Sequence, residues 1–412
     1  MHDNKTSPRG EAESAYAWIR LAAALLIMTI GGAAMYGVVV ALPTLQAEFG
    51  VARADASLPY TLTMIGFGVG GILMGRLSDR FGVVVPIVIG ALSLGAGFIL
   101  CGMALTLWQF SLAHGLLAGL LGCAATFAPL VADTSMWFTR RRGIAVGICA
   151  SGNYLAGAVW PPLLQHFFET AGWRATYTGL GLFCLATILP LALLLRKRPP
   201  LPGHADTSAT ANRSARPLGL TPNALLALLS VAGLACCVAM SMPQVHIVAY
   251  CGDLGYGIAR GAEMLAVMLG FGIVSRLASG WICDRIGGLR TLLLGSALQG
   301  IALALFLPFD GLASLYIVSA LFGLFQGGLV PSYAIIVREY FKPGEAGARL
   351  GVVLMATLLG MAGGGWISGA IFDLTGSYRA AFVNGLAWNL LNLTIVFWLL
   401  RRATPQRALL PA

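Results

Sequence analysis

Twelve separate stretches of about 20 mostly apolar residues, each long enough to cross a bilayer as a helix, dominate the 412-residue sequence. They lie near 17–42, 56–76, 83–103, 108–136, 143–166, 174–196, 223–250, 259–282, 290–308, 313–338, 348–372 and 379–400. With 58% hydrophobic residues, only 10% charged residues and a mean hydropathy of +0.82, a water-soluble fold has nowhere to put this surface. Lipid is the expected solvent, and the expected fold class is an all-α membrane protein of twelve transmembrane helices. The 53 glycines let membrane helices approach closely. Runs such as Gly66-Phe67-Gly68-Val69-Gly70-Gly71 and Gly363-Gly364-Gly365 suit either moving interfaces or ordinary tight packing.

A net charge of +10 raises nucleic acid as a partner, but the basic residues occupy alternate loops rather than one face or an aromatic-bearing strand. No nucleic acid is expected; the charge is topological. With the N-terminus in the cytoplasm, 21 of the 26 Lys and Arg fall on the inner side, including Arg140-Arg141-Arg142, Arg196-Lys197-Arg198 and Arg401-Arg402. Arg53, Arg174, Arg260 and Arg379 fall outside, and Arg276 stays within a helix. This predicts a multi-pass protein of the cell inner (plasma) membrane with both termini cytoplasmic. The first 16 residues are polar and carry no evident removable signal peptide. The eight cysteines lack metal-ligand spacing, and buried reduced thiols are the default for Cys101, Cys123, Cys149, Cys236 and Cys237. Neither a metal nor a cofactor is expected.

The stretch from Arg196 to Pro222, rich in Pro, Ser, Thr and Ala, is the only polar segment long enough to be a linker. It predicts a six-helix bundle over 1–196, a cytoplasmic connector over 197–222 and a second six-helix bundle over 223–412. Gly75-Arg76-Leu77-Ser78-Asp79-Arg80-Phe81-Gly82 follows the second span and Gly280-Trp281-Ile282-Cys283-Asp284-Arg285-Ile286-Gly287 the eighth, at an offset of 205 residues. Trp173-Arg174-Ala175 and Tyr378-Arg379-Ala380 repeat that offset. An internal duplication explains both matches. Its consequence is two pseudo-symmetric bundles with a substrate site on the axis between them.

The loop G-x-L-x-D-R-x-G resembles the signature of the major facilitator superfamily, with a degenerate copy after span eight. The resemblance covers about 17–400 and implies cytoplasmic-gate roles for Asp79, Arg80, Asp284 and Arg285, with the glycines permitting a tight interhelical turn. The segment from Trp137 to Gly152 and that from Val245 to Gly255 resemble the monocarboxylate transporters and their bacterial relatives. In span one, Gly31-Gly32-Ala33-Ala34-Met35-Tyr36-Gly37 lacks the acidic, tryptophan-bearing motif of the animal members, which points to a bacterial branch.

Arg276 carries the clearest chemistry. An arginine inside a spanning helix costs about 2.5–3.5 kcal/mol on insertion scales. It cannot shed its proton, so it wants an anion or acceptors nearby. Gly272, Gly280 and Ser279 make its face small and polar, and that face is expected to point at a cavity. The equivalent residue in the first half is Gly71, so the fold does not itself demand a cation here. A guanidinium can hold a carboxylate through two parallel hydrogen bonds; an ion pair with Asp133 in span four, or with another group, is the structural alternative. His246, following Pro243 and Gln244, is a candidate for substrate contact and, with Asp133, for proton coupling; a backbone-capped histidine at a helix end is as good a reading. Tyr333 is placed at the depth of Arg276 as a hydroxyl donor to the same carboxylate, with a packed tyrosine as the alternative. Asn153, Tyr36 and Phe127 complete the candidate pocket, while His114, Asn384, Asn389 and Asn392 are read as packing.

Together these features lead to a transporter rather than an enzyme. The expected activity is proton-coupled symport of a small monocarboxylate of the lactate or pyruvate kind by a functional monomer. The lack of a second intramembrane Lys or Arg favours a mono- over a dicarboxylate. Organic-acid exchange, export of a drug or metabolite, and a non-transporting membrane sensor are the alternatives. No nucleophile–base pair or phosphate loop supports an enzyme.

Overall fold

The computed structural model describes residues 13–138, 141–197 and 217–407. Arg140, Arg198 and most of the expected connector lie outside the described residues. Among those described, twelve helical spans are long and apolar enough to cross a membrane: α1 (Ala15–Phe49), α2 (Arg53–Phe81), α3 (Val84–Gly102), α4 (Leu107–Trp137), α5 (Gly143–Ala171), α6 (Trp173–Leu193), α7 (Pro222–Asp253), α8 (Ile258–Ile286), α9 (Gly288–Leu305), α10 (Leu312–Tyr340), α11 (Glu345–Thr375) and α12 (Tyr378–Ala403). Each coincides with one of the twelve apolar stretches. Several run longer, because the helix continues past the apolar core into polar ends that hydropathy does not mark. Leu92, Leu116, Ile317 and Leu390 are more than half exposed, as a lipid-facing surface requires.

The signature motifs form the last turns of helices rather than loops. Asp79 and Arg80 are still within α2, and Asp284 and Arg285 within α8. Each chain reverses only at the following glycine: Gly82 at φ +84° and Gly287 at φ +85°, a region that side chains strain to reach. The amide of Gly82 donates to the carbonyl of Ser78 (2.8 Å) and that of Gly287 to Cys283 (2.9 Å). Gly50 and Gly255, after α1 and α7, are a second positive-φ pair at the same offset. The duplication is thus written in backbone geometry as well as in sequence.

Four spans are interrupted, α1 for the single residue Gly32, α2 for the single residue Ser57, and α4 and α10 over longer steps. In α4 a π-helical run over Ala113–Cys123 ends in an irregular step, with α-helix resuming at Ala128. In α10 the helix stops at Gln326 and resumes at Leu329, across Gly327 and Gly328. The α10 break seats directly on α8. A Cβ on Gly323 would lie 1.8 Å from the Met268 carbonyl oxygen, one on Gly327 2.3 Å from that of Gly272, and one on Gly328 1.8 Å from the Ser279 hydroxyl. Small residues on both helices allow this approach.

The chain forms two compact units. One comprises the described residues within Met1–Tyr36, Gly66–Gly157 and Phe167–Ala209; the other comprises those within Gly37–Ile65, Ala158–His166 and Thr210–Ala412. The connection between α1 and α2 therefore packs with the helices of the second half of the sequence.

Candidate functional site

Within the first unit, the one deeply buried ion pair among the described residues joins α1 to α4. Arg20 and Asp133, 2% and 4% exposed, meet fork to fork: Nε to Oδ2 and Nη2 to Oδ1, each 2.8 Å. The Arg20 guanidinium also lies 4.8 Å above the Trp137 ring and donates to the Tyr16 hydroxyl at 3.4 Å. This corrects the expected partner of Asp133: it is Arg20, not Arg276. In the sequence Arg20 belongs with the basic residues of the inner side, yet it is buried. Because Asp133 neutralises it, it adds no uncompensated cation. The signal in the sequence was its position inside the first apolar stretch rather than before it.

The other first-unit candidates are scattered over three helices. Tyr36 is 6% exposed on α1. Phe127 sits at the irregular step of α4 and packs edge-on against Phe67 at 5.5 Å. Asn153 on α5 keeps a buried Oδ1 without a hydrogen-bond donor. His114 stacks on Phe110 and meets Phe98 and Tyr177 edge-on, the packing role read from the sequence. Asp79 and Arg80 are exposed at the end of α2.

In the second unit, Arg276 is half-buried in the middle of α8. Of the neighbouring small residues, Gly272, Ser275 and Ser279 are taken up by the contact with Gly327 and Gly328, whereas Gly280 meets nothing within 4 Å. Tyr333 also departs from expectation. It is fully buried, and its hydroxyl donates to Asn392 Oδ1 at 3.0 Å, while Asn392 Nδ2 donates to Ser296 Oγ at 2.7 Å. It is therefore held in the packed interior between α10 and α12 and is not brought to Arg276. Asn389 similarly bridges to α9 through Gln299 Oε1 (3.1 Å). Gln244 donates from Nε2 to Gln326 Oε1 at 2.8 Å, at the break in α10, and the Gln326 amide nitrogen is buried without an acceptor. Asp284 and Arg285 are exposed at the end of α8, with the Arg285 guanidinium 3.7 Å from the Trp281 ring centre.

His246 is fully buried on α7, its Nε2 2.8 Å from the Gly365 carbonyl oxygen on α11. A carbonyl only accepts, so Nε2 carries the proton and Nδ1 is left as an acceptor. Nδ1 faces the Tyr378 hydroxyl at 3.5 Å, the long end of hydrogen bonding. That hydroxyl also accepts from Arg53 Nη1. Arg53 reaches Asp253 through Nη1 (3.0 Å) and Nη2 (3.3 Å) and lies over the Phe372 ring at 4.6 Å. Asp373 accepts from the backbone amides of Arg53 and Ala54, both at 2.8 Å, capping the start of α2. From the sequence alone Arg53 is only an exterior charge. Its 6% exposure and its partners on three helices, α7, α11 and α12, come from residues about 200 to 325 positions away, which no local pattern encodes.

The sequence model of the Major Facilitator Superfamily matches residues 24–314 and 264–412. The chain is 30% identical over 331 residues to monocarboxylate transporter 13 of Rattus norvegicus, covering 80% of this chain and 75% of that protein. It is 28% identical over 410 residues to monocarboxylate transporter 11 of Mus musculus, covering 97% and 90%. Among solved structures, an inward-facing, occupied bacterial homologue of the human lysosomal transporter Spinster superposes with a TM-score of 0.67 at 15% identity, over 95% of this chain and 96% of that one. The nucleoside transporter NupG gives 0.68 at 13% identity, over 94% and 99%. At such identities these two attest the fold. The family match and the sequence relatives together place the function among transporters rather than enzymes: the chain belongs to the Major Facilitator Superfamily.

Proposed function

We propose that the protein is a secondary active transporter of a small monocarboxylate, lactate- or pyruvate-like, working as a proton symporter. The reading is supported by relatives named as monocarboxylate transporters. The observation that carries it is Arg276, a permanently charged side chain half-buried at mid-span of α8. A substrate carboxylate is a fitting partner for that charge, with Gln244 as a further candidate contact in the same unit; Asn153, Tyr36 and Phe127 are the candidate contacts of the first unit taken by itself. The two six-helix halves act as a rocker switch, and the exposed pairs Asp79–Arg80 and Asp284–Arg285 serve the cytoplasmic gate. The protein works as a monomer in the cell inner (plasma) membrane with both termini cytoplasmic.

Of the two proton-coupling candidates, His246 fits better. Protonating Asp133 would leave the buried Arg20 without its counter-ion, a loss worth several kcal/mol. His246 has an unprotonated Nδ1 beside a hydroxyl and needs no ion pair to be broken first. The test is uptake of radiolabelled lactate and pyruvate into proteoliposomes under an imposed inward proton gradient. Uptake is expected to rise with the gradient, and Arg276→Ala is expected to lower it by more than about tenfold, the loss of a charge-assisted carboxylate contact. Wild-type uptake in Arg276→Ala would remove the anchor from this reading.

A further inference from the structure

His246, Tyr378, Arg53 and Asp253 form a continuous polar chain from a fully buried imidazole to a carboxylate whose side chain is 38% exposed. The chain has a direction. Nε2–H of His246 is committed to Gly365, so the Tyr378 hydroxyl hydrogen points to Nδ1 and its lone pair receives Arg53. Arg53 and the capping carboxylate of Asp373 in turn hold the first turn of α2 against α7, α11 and α12. Of these groups only the carboxylate has a like counterpart in the duplicated scaffold, Asp253 against Glu48. At the offset of 205, His246 corresponds to Ala41, Tyr378 to Trp173 and Arg53 to Ile258, so the second copy of each position lacks the group.

We propose that Arg53, Tyr378 and His246 are a proton-operated latch on the start of α2. A proton from water binds Nδ1, forming an N–H where the Tyr378 hydroxyl had donated. The hydroxyl loses its acceptor, and a second positive charge stands beside Arg53. Arg53 then leaves Tyr378, and the segment 53–57 loosens from α7, α11 and α12. The charged and titratable groups facing His246 are Tyr378 from α12, Arg53 from α2, Asp373 from α11 and Asp253 on its own helix. The two aspartates are engaged by Arg53 and by the α2 amides, whereas Nδ1 of the imidazole meets the Tyr378 hydroxyl. Tyr378 and Arg53 are positioning residues here, acting through His246 rather than on substrate.

This latch rests on the proton-coupled reading, but its test needs no substrate, so the two fail separately. The experiment is hydrogen exchange by mass spectrometry on the full-length protein in nanodiscs between pH 8 and pH 6, corrected for intrinsic exchange. Wild-type amides of 53–57 are expected to exchange about fivefold faster at pH 6. His246→Gln keeps a donor for Gly365 and an acceptor for Tyr378 yet takes no proton, and is expected to stay protected at both values. Asp253→Asn is expected to exchange faster at both values while keeping the pH response. Wild-type exchange that ignores pH, or a full response in His246→Gln, overturns the latch. Should His246→Gln fail to purify as a monodisperse protein, Tyr378→Phe replaces it: a full pH response in that variant overturns the proposal, and its loss supports it.

Discussion

Arg20 and Asp133 put opposite charges into a part of the bundle where neither is tolerated alone, and the fork-to-fork geometry makes each the solvation shell of the other. Removing one partner strands the second. Asp133→Asn is accordingly expected to destabilise the protein by about 3–5 kcal/mol, and the volume-matched double variant Arg20→Met/Asp133→Leu to recover most of that loss. Thermal unfolding of the purified variants in detergent checks it, and a double variant as unstable as the single would mean that the pair does more than balance itself. Uptake by the same double variant in proteoliposomes separates structural from coupling roles, because a purely structural Asp133 leaves the proton dependence of uptake intact. Arg53 illustrates the opposite case. Its charge was visible in the sequence as a topological marker, whereas its role depends on Asp253, Asp373 and Tyr378, which meet it only once α7, α11 and α12 are assembled.

At the scale of elements, glycine has two distinct uses that composition alone leaves merged. Gly70 and Gly364 stand where a Cβ would reach within 1.9 Å of the Leu120 carbonyl oxygen and 2.2 Å of the Ser241 hydroxyl, while their neighbours Gly71 and Gly363 meet nothing within 4 Å. The glycine runs therefore combine close helix contact with positions facing open space. The α8–α10 seam is the sharpest contact. Gly323→Ala is expected to destabilise by at least about 1–3 kcal/mol, since backbone rather than a pliable side chain blocks the added methyl. Gly280→Ala, on the same α8 but with nothing within 4 Å, is expected to be neutral or to stabilise by up to about 1 kcal/mol through helix propensity. Melting temperatures of the two variants decide it; equal losses would contradict the seam. The spans themselves were legible because hydropathy over about 20 residues is a one-dimensional signal. The breaks in α4 and α10 were not, because a glycine pair such as Gly327-Gly328 marks an interruption only in the presence of the helix it seats against.

For the whole molecule, the duplication supplies a scaffold and the departures from it supply chemistry. Gly82 and Gly287 repeat one turn in both halves, whereas Arg276 stands against Gly71 and His246 against Ala41. Orientation in the bilayer then decides which side the Arg53 latch meets. The C-terminal ends of α2, α8 and α12 and the start of α9 hold Arg76, Arg80, Arg285, Arg290, Arg401 and Arg402, while the loops after α1 and α7 are poor in basic residues. The retention of Lys and Arg on the cytoplasmic side during insertion therefore predicts that Gly82 and Gly287 are cytoplasmic and that Gly50 and Gly255 are exterior. Alkaline phosphatase fused after Gly255 is expected to be active and fused after Gly287 inactive, with the converse for a fluorescent protein that matures only in the cytoplasm. That orientation sets the exposed Asp253 at the outer mouth, where an inward gradient delivers protons to His246. The reverse fusion pattern would turn the molecule over and make the latch an inner-face device, which could not admit protons in the direction that symport requires.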